Sequence, residues 1–85
     1  NRVSMDEQSI INEIKHYVEK NILAPSVTID ADTDLKSAGI DSFSTVEILL
    51  FIERKYGTAI PDDKLIPENF RTLRTLAATV HGLMA

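Results

Sequence analysis

Apolar residues recur at helical spacing in three stretches of this chain, and the segments between them lose that spacing to proline, glycine and short polar residues. In the first stretch Ile10, Ile14, Tyr17 and Val18 follow at steps of four, three and one, which brings them to one face of a helix. That helix is predicted from Asp6 to Asn21, with acids in its first turn, and Pro25 closes the segment in which it fades. The second helix is predicted from Ser42 to Tyr56, with Gly57 as its stop and Phe43, Val46, Leu49, Ile52 and Tyr56 as its core stripe. Leu50 and Phe51 lie outside that stripe, so at least one of them is expected at the surface.

Between these helices the connection from Pro25 to Asp41 is rich in Asp, Ser and Thr, and only Val27, Ile29, Leu35 and Ile40 can anchor it. A connection this long in a small domain is usually functional or disordered, and the four anchors argue for order. After Ile60-Pro61 a short helical stretch is expected around residues 62–70, with Pro67 and Glu68 suited to a first turn. The last helix is predicted from Leu73 to Met84, with Thr72 as N-cap and Leu73, Leu76, Ala77, Val80 and Leu83 inward. The expectation is an all-α fold: a right-turning small helical bundle of three main helices plus one short helix.

Composition narrows the class. Eighty-five residues, 44% hydrophobic and 6% aromatic, fit one small domain with an aliphatic core. Residues 1–4 are read as a disordered tail or expression remnant, and residues 5–85 as the single domain. Cysteine is absent, so any thiol chemistry must be imported. The longest apolar run, Ile48 to Ile52, is far too short to span a membrane, and a cytoplasmic setting is expected. The net charge of -4 is concentrated between Asp30 and Asp63, where eight acids face three bases. Such a surface disfavours nucleic acid and favours basic protein partners.

Catalytic constellations are missing from the sequence. His16 and His81 lie on different predicted helices, and no nucleophile elbow, glycine-rich phosphate loop or metal-ligand spacing occurs, so the chain is not expected to be an enzyme. Asp30, Asp32, Asp34 and Asp41 occupy places one, three, five and twelve of a calcium-loop template. Leu35 stands where that loop needs glycine, and Asp41 is shorter than the bidentate Glu that closes it, so no metal site is expected. A calcium-responsive module is the weaker alternative, beside a helical protein-interaction module without a prosthetic group.

The segment Leu35-Lys-Ser-Ala-Gly-Ile-Asp-Ser-Phe-Ser-Thr-Val-Glu47 carries the most information. Ser42 falls where a loop meets a helix N-terminus, so its hydroxyl can cap free backbone N–H groups. The same place suits a covalently attached phosphate, because the positive end of a helix stabilises an anion.

Gly39-Ile40-Asp41-Ser42-Phe43, followed by Val46-Glu47, resembles the phosphopantetheine attachment motif of acyl and peptidyl carrier proteins. The resemblance extends to the amphipathic first helix, to Asp32-Thr-Asp34-Leu35, to Glu53 and Tyr56, and to Ile60-Pro61-Asp62. It implies a monomeric carrier that holds acyl or aminoacyl groups as thioesters on 4'-phosphopantetheine covalently bound to Ser42. A phosphopantetheinyl transferase would install the arm, with Asp41 helping to position that enzyme's metal ion and Ser42. An acyl- or aminoacyl-activating ligase or synthetase would load it, and a downstream acceptor enzyme would unload it. The resemblance further assigns Glu47, Leu50 and Glu53 to the partner-binding surface, which Phe51 is expected to join.

Some residues depart from the fatty-acid carriers of that family. Phe43 replaces their usual Leu, Ser44 a frequent Asp, and Arg54 another acid, which weakens the acidic stripe on the second helix. Pro67-Glu68-Asn69-Phe70 is more similar to stand-alone carriers associated with amino-acid activation or specialised acyl pathways.

Overall fold

The computed structural model describes residues 6–84, so the reading of residues 1–4 as a tail lies outside the described residues. Three α-helices form the architecture: α1 over Glu7–Asn21, α2 over Ser42–Tyr56 and α3 over Leu73–Met84. The short stretch before α3 is two separate 3-10 turns, Asp62–Lys64 and Pro67–Phe70, where one short helix was expected. Proline explains the split: Pro67 lacks an N–H and restricts Ile66 to extended angles, so the first turn ends and a second begins at Pro67.

Asp6 opens α1 by accepting the Ser9 N–H at 2.8 Å, and the helix buries Ile10, Ile11, Ile14 and Val18. Tyr17, expected in that stripe, is half-buried at its edge, and Ile11 takes the inner place. The main neighbour of α1 is α3, which supplies Leu73, Leu76, Ala77 and Val80. Thr72 caps α3 as expected: its hydroxyl oxygen accepts the Thr75 N–H at 3.1 Å, and the Thr75 hydroxyl oxygen accepts the Thr72 N–H at the same distance. Leu83 is only half-buried.

The bounds of α2 match expectation, and Gly57 ends it in the left-handed conformation at φ 67°. Its inward face does not. The buried residues are Ile48 and Ile52, whereas Phe43 is 75% exposed and Val46 52%. A stripe built on repeated steps of three slips back about 60° per step, so Phe43 and Ile52, nine residues apart, emerge on opposite sides. Phe51 lies at the edge of the buried face, its ring stacked on that of Tyr17 with centroids 4.2 Å apart. Half-buried Tyr56 donates a hydrogen bond to Glu13 Oε1 at 2.6 Å, tying the end of α2 to α1. Burial, then the Glu13 carboxylate, push the Tyr56 phenol above its ordinary pKa.

Residues 22–41 connect α1 to α2 without becoming loose. Ile29, Leu35 and Ile40 are buried and join the core, while Val27 stays half-buried. The Glu19 carboxylate accepts the Ile29 N–H at 2.8 Å. Two backbone bonds then tie the connection to the start of α3, Leu35 N–H to the Arg71 carbonyl at 2.9 Å and Arg74 N–H to the Ala31 carbonyl at 3.0 Å.

Truncating Leu76, 1% exposed, to Ala is expected to cost about 2 to 5 kcal/mol in urea denaturation. Tyr56→Phe should cost about 1 kcal/mol through the lost bond to Glu13. Because folding raises the Tyr56 pKa, its contribution holds below the unfolded value of about 10 and is lost as pH rises beyond it. Tyr56→Phe should therefore flatten the fall in stability above pH about 10, and an unchanged slope would discount the Glu13 bond.

Candidate functional site

The site forms where the long connection delivers the chain into α2. Gly39, at φ 108°, takes a conformation that side-chain-bearing residues rarely adopt, and Ile40 N–H returns to the Leu35 carbonyl at 3.0 Å. Ile40 is buried, which fixes the approach to Asp41.

Asp41, rather than Ser42, is the N-cap. Its Oδ1 accepts the Ser44 N–H at 2.8 Å, and its carbonyl accepts both the Thr45 N–H and the Thr45 hydroxyl at 2.9 Å. The Ser44 backbone N–H and then the Ser44 side chain hold the Asp41 carboxyl below the usual carboxylate range. With the cap filled, Ser42 becomes the first residue of the helix, exposed, and its hydroxyl enters none of the hydrogen bonds of the described residues. The N–H groups of Ser42 and Phe43 lack a partner one turn earlier, as at any helix start, and contribute positive potential there. An open cleft of about 690 Å³ adjoins Ser42, with Leu35, Ile40, Leu65, Ile66 and Phe70 as its apolar part and Asp34, Lys36, Glu68 and Arg71 as charged lining.

An exposed nucleophilic oxygen, a helix start that favours an anion, and an open cleft fit a phosphodiester-linked pantetheine arm, whose chemistry when bound is that of a terminal thiol. For such an arm the chain's part would be to present the oxygen and hold its backbone still.

The other expected site residues scatter along α2. Leu50 is 50% exposed, Glu53 exposed and Glu47 half-buried. Phe51 does not share their setting, because its ring is committed to Tyr17, and the outward apolar residues that sequence reasoning assigned to the core are Phe43 and Val46. Steps of four, from Ile48 to Ile52 and on to Tyr56, were the available signal for the true inner face.

The acids that mimic a calcium loop do four separate jobs. Asp30 accepts the Asp32 N–H and the Thr33 hydroxyl, Asp32 receives both donors of the Arg74 fork at 2.7 and 3.0 Å, Asp34 caps Ser37, and Asp41 caps α2. No group of three or more His, Cys, Asp or Glu suited to a metal ion occurs among the described residues. His16 is exposed on α1 and His81 half-buried on α3. No helix among the described residues is long and apolar enough to cross a membrane.

Comparison with known proteins agrees with this geometry. The family model described as "Phosphopantetheine attachment site" matches residues 12–80. Aminoacyl carrier protein 1 of Bradyrhizobium diazoefficiens is 35% identical over 71 residues, covering 84% of this chain and 77% of that protein. An acyl carrier protein of Rickettsia bellii is 38% identical over 63 residues, covering 74% of each. A chain in the crystal structure of Bradyrhizobium japonicum glycine:[carrier protein] ligase complexed with glycylated carrier protein superposes with a TM-score of 0.70. That chain is 29% identical, and the match covers 86% of this chain and 96% of that one.

Acid should weaken the site. Asp6, Glu19, Asp30, Asp32, Asp34 and Asp41 all have lowered pKa values, chiefly from hydrogen bonds to backbone or side-chain donors. Their contribution is present above the unfolded range of about 4 and is lost as pH falls through the lower folded values. The melting temperature is expected to drop below pH about 4, and hydrogen exchange at Ser44 should speed up in Asp41→Ala but much less in Asp41→Asn. Equal exchange in the two variants would remove the cap assignment.

Proposed function

Given that the chain belongs to the phosphopantetheine attachment site family of acyl and aminoacyl carrier proteins, we propose that Ser42 bears the arm and that the cargo is a small aminoacyl group. Carriage of a thioester-bound group on phosphopantetheine is the function of the chain. The observation that supports Ser42 is its free, exposed hydroxyl at the first position of α2, released from capping by Asp41. In this reading a transferase directs the Ser42 oxygen onto the pantetheine-side phosphorus of coenzyme A: the new phosphate ester bond forms as the pyrophosphate bond breaks, adenosine 3',5'-bisphosphate leaves, and the Ser42 proton passes to a base of the transferase. Asp41 holds the helix start and would help to position the transferase's metal ion and Ser42. The chain catalyses no step itself, and all thiol chemistry occurs on the imported group.

The aminoacyl reading draws support from the similarity to an aminoacyl carrier protein and to a chain crystallised with a glycine:[carrier protein] ligase. It also suits the cleft beside Ser42, which is open and has charged lining rather than forming a closed apolar tunnel. Its partners are then a pantetheinyl transferase, an amino-acid-activating ligase and an acceptor enzyme, which meet α2 near Glu47, Leu50 and Glu53. Similarity to the Rickettsia acyl carrier leaves a short acyl group as the second reading. The family match favours both over an interaction module without a prosthetic group and over a calcium-responsive module.

Incubation with coenzyme A and a broad-specificity pantetheinyl transferase should add one phosphopantetheine mass to the native protein and none to Ser42→Ala. A modified Ser42→Ala protein would overturn the attachment assignment. Holo protein offered amino acids or short fatty acids with ATP and a matching ligase should gain an aminoacyl mass that hydroxylamine removes. Loading by fatty acids alone would replace the cargo reading.

A further inference from the structure

On α2, Phe43, Glu47, Leu50 and Arg54 follow at steps of four, three and four, which keeps them on one line about 16 Å long that ends within about 20° of where it starts. Ser42 adjoins the Phe43 end. Phe43 is 75% exposed, Leu50 50% and the flanking Val46 52%, so an apolar strip runs out from the candidate attachment point. Glu47 sits beside the strip in its first half, and Arg54 closes the far end.

Among the described residues the charges of α2 form no ion pair. Glu47, Glu53, Arg54 and Lys55 have no oppositely charged residue three or four places away on the helix, where pairing would occur. Ion pairs among the described residues lie elsewhere, Lys15 with Glu19 and Arg74 with Asp32. The strip therefore presents a negative charge near Ser42 and a positive one about three turns on, with exposed apolar residues along it.

We infer that Arg54 is a specificity-determining contact with the ligase that loads the arm, and that this ligase faces α2 with an apolar socket, a cation opposite Glu47 and a carboxylate opposite Arg54. Charge complementarity carries the inference: a uniformly basic partner surface would meet Arg54 with like charge, a juxtaposition that excludes it. It rests on the reading of the chain as a substrate of such a ligase. A cation at the C-terminal end of α2 also favours the helix dipole, and Lys55 supplies the same service. Lys55 is turned about 100° away from the line, so it separates the two roles.

The test compares holo native protein, Arg54→Glu, Arg54→Lys and Lys55→Glu as substrates of the ligase that loads the native chain, at low and high salt, with melting curves for each. Arg54→Glu should raise the apparent KM for the carrier about 10- to 100-fold at low salt, with kcat little changed and the defect reduced by salt. Arg54→Lys should retain most of the native KM, and Lys55→Glu should load like the native protein although its net charge changes equally. Equal defects in Arg54→Glu and Lys55→Glu, or none in either, would overturn the inference while leaving the carrier reading intact. Failure of any ligase to load the native holo protein would instead remove the reading on which it rests.

Discussion

The tethering of the long connection to α3 is the constraint from which the site follows. A segment of twenty residues without regular structure has ample entropy to wander, and the chain opposes this with three buried anchors, Ile29, Leu35 and Ile40. The two backbone bonds, from Leu35 to Arg71 and from Arg74 to Ala31, then fix where the connection runs. Only because that path is set do Gly39 and Ile40 bring Asp41 to the start of α2 with its carboxylate aimed at the Ser44 N–H. The same anchoring forms the cleft, since Leu35 and Ile40 come from the connection while Leu65, Ile66 and Arg71 precede α3.

Two neighbouring residues with similar polar character divide the work at that helix start. A carboxylate one residue before the helix can reach the N–H three places on, and Asp41 does so. A serine already inside the first turn has no such reach, and Ser42 is exposed. The exposure of Ser42 thus goes with a structural role discharged by Asp41.

The elements were legible in the sequence because their boundaries rest on strong local signals: Pro25, Gly57, Pro67 and the Thr72 cap. The outward face of α2 was less so. Phe43 and Val46 are apolar and fit a spacing of three, and nothing local distinguishes an apolar residue kept for a partner from one destined for the core. Ser42 stood out as a candidate through its surrounding motif, whereas its release from capping needed coordinates, since Asp and Ser are comparable N-caps. The calcium-like spacing is ambiguous for a related reason. Each acid closes its own turn or ion pair, and spacing alone cannot tell four separate local bonds from four converging ligands.

The rigidity at Asp41 has a kinetic consequence. Both its carboxylate and its carbonyl are occupied by the first turn of α2, so the backbone beneath Ser42 has little freedom left to lose. If Ser42 is the anchor, the tether alone sweeps the space around a docked enzyme, and its length sets the effective concentration of cargo at that enzyme's catalytic centre. Delivery would then be governed by the reach of a flexible chain from a fixed pivot, with the folded domain serving as the immobile end.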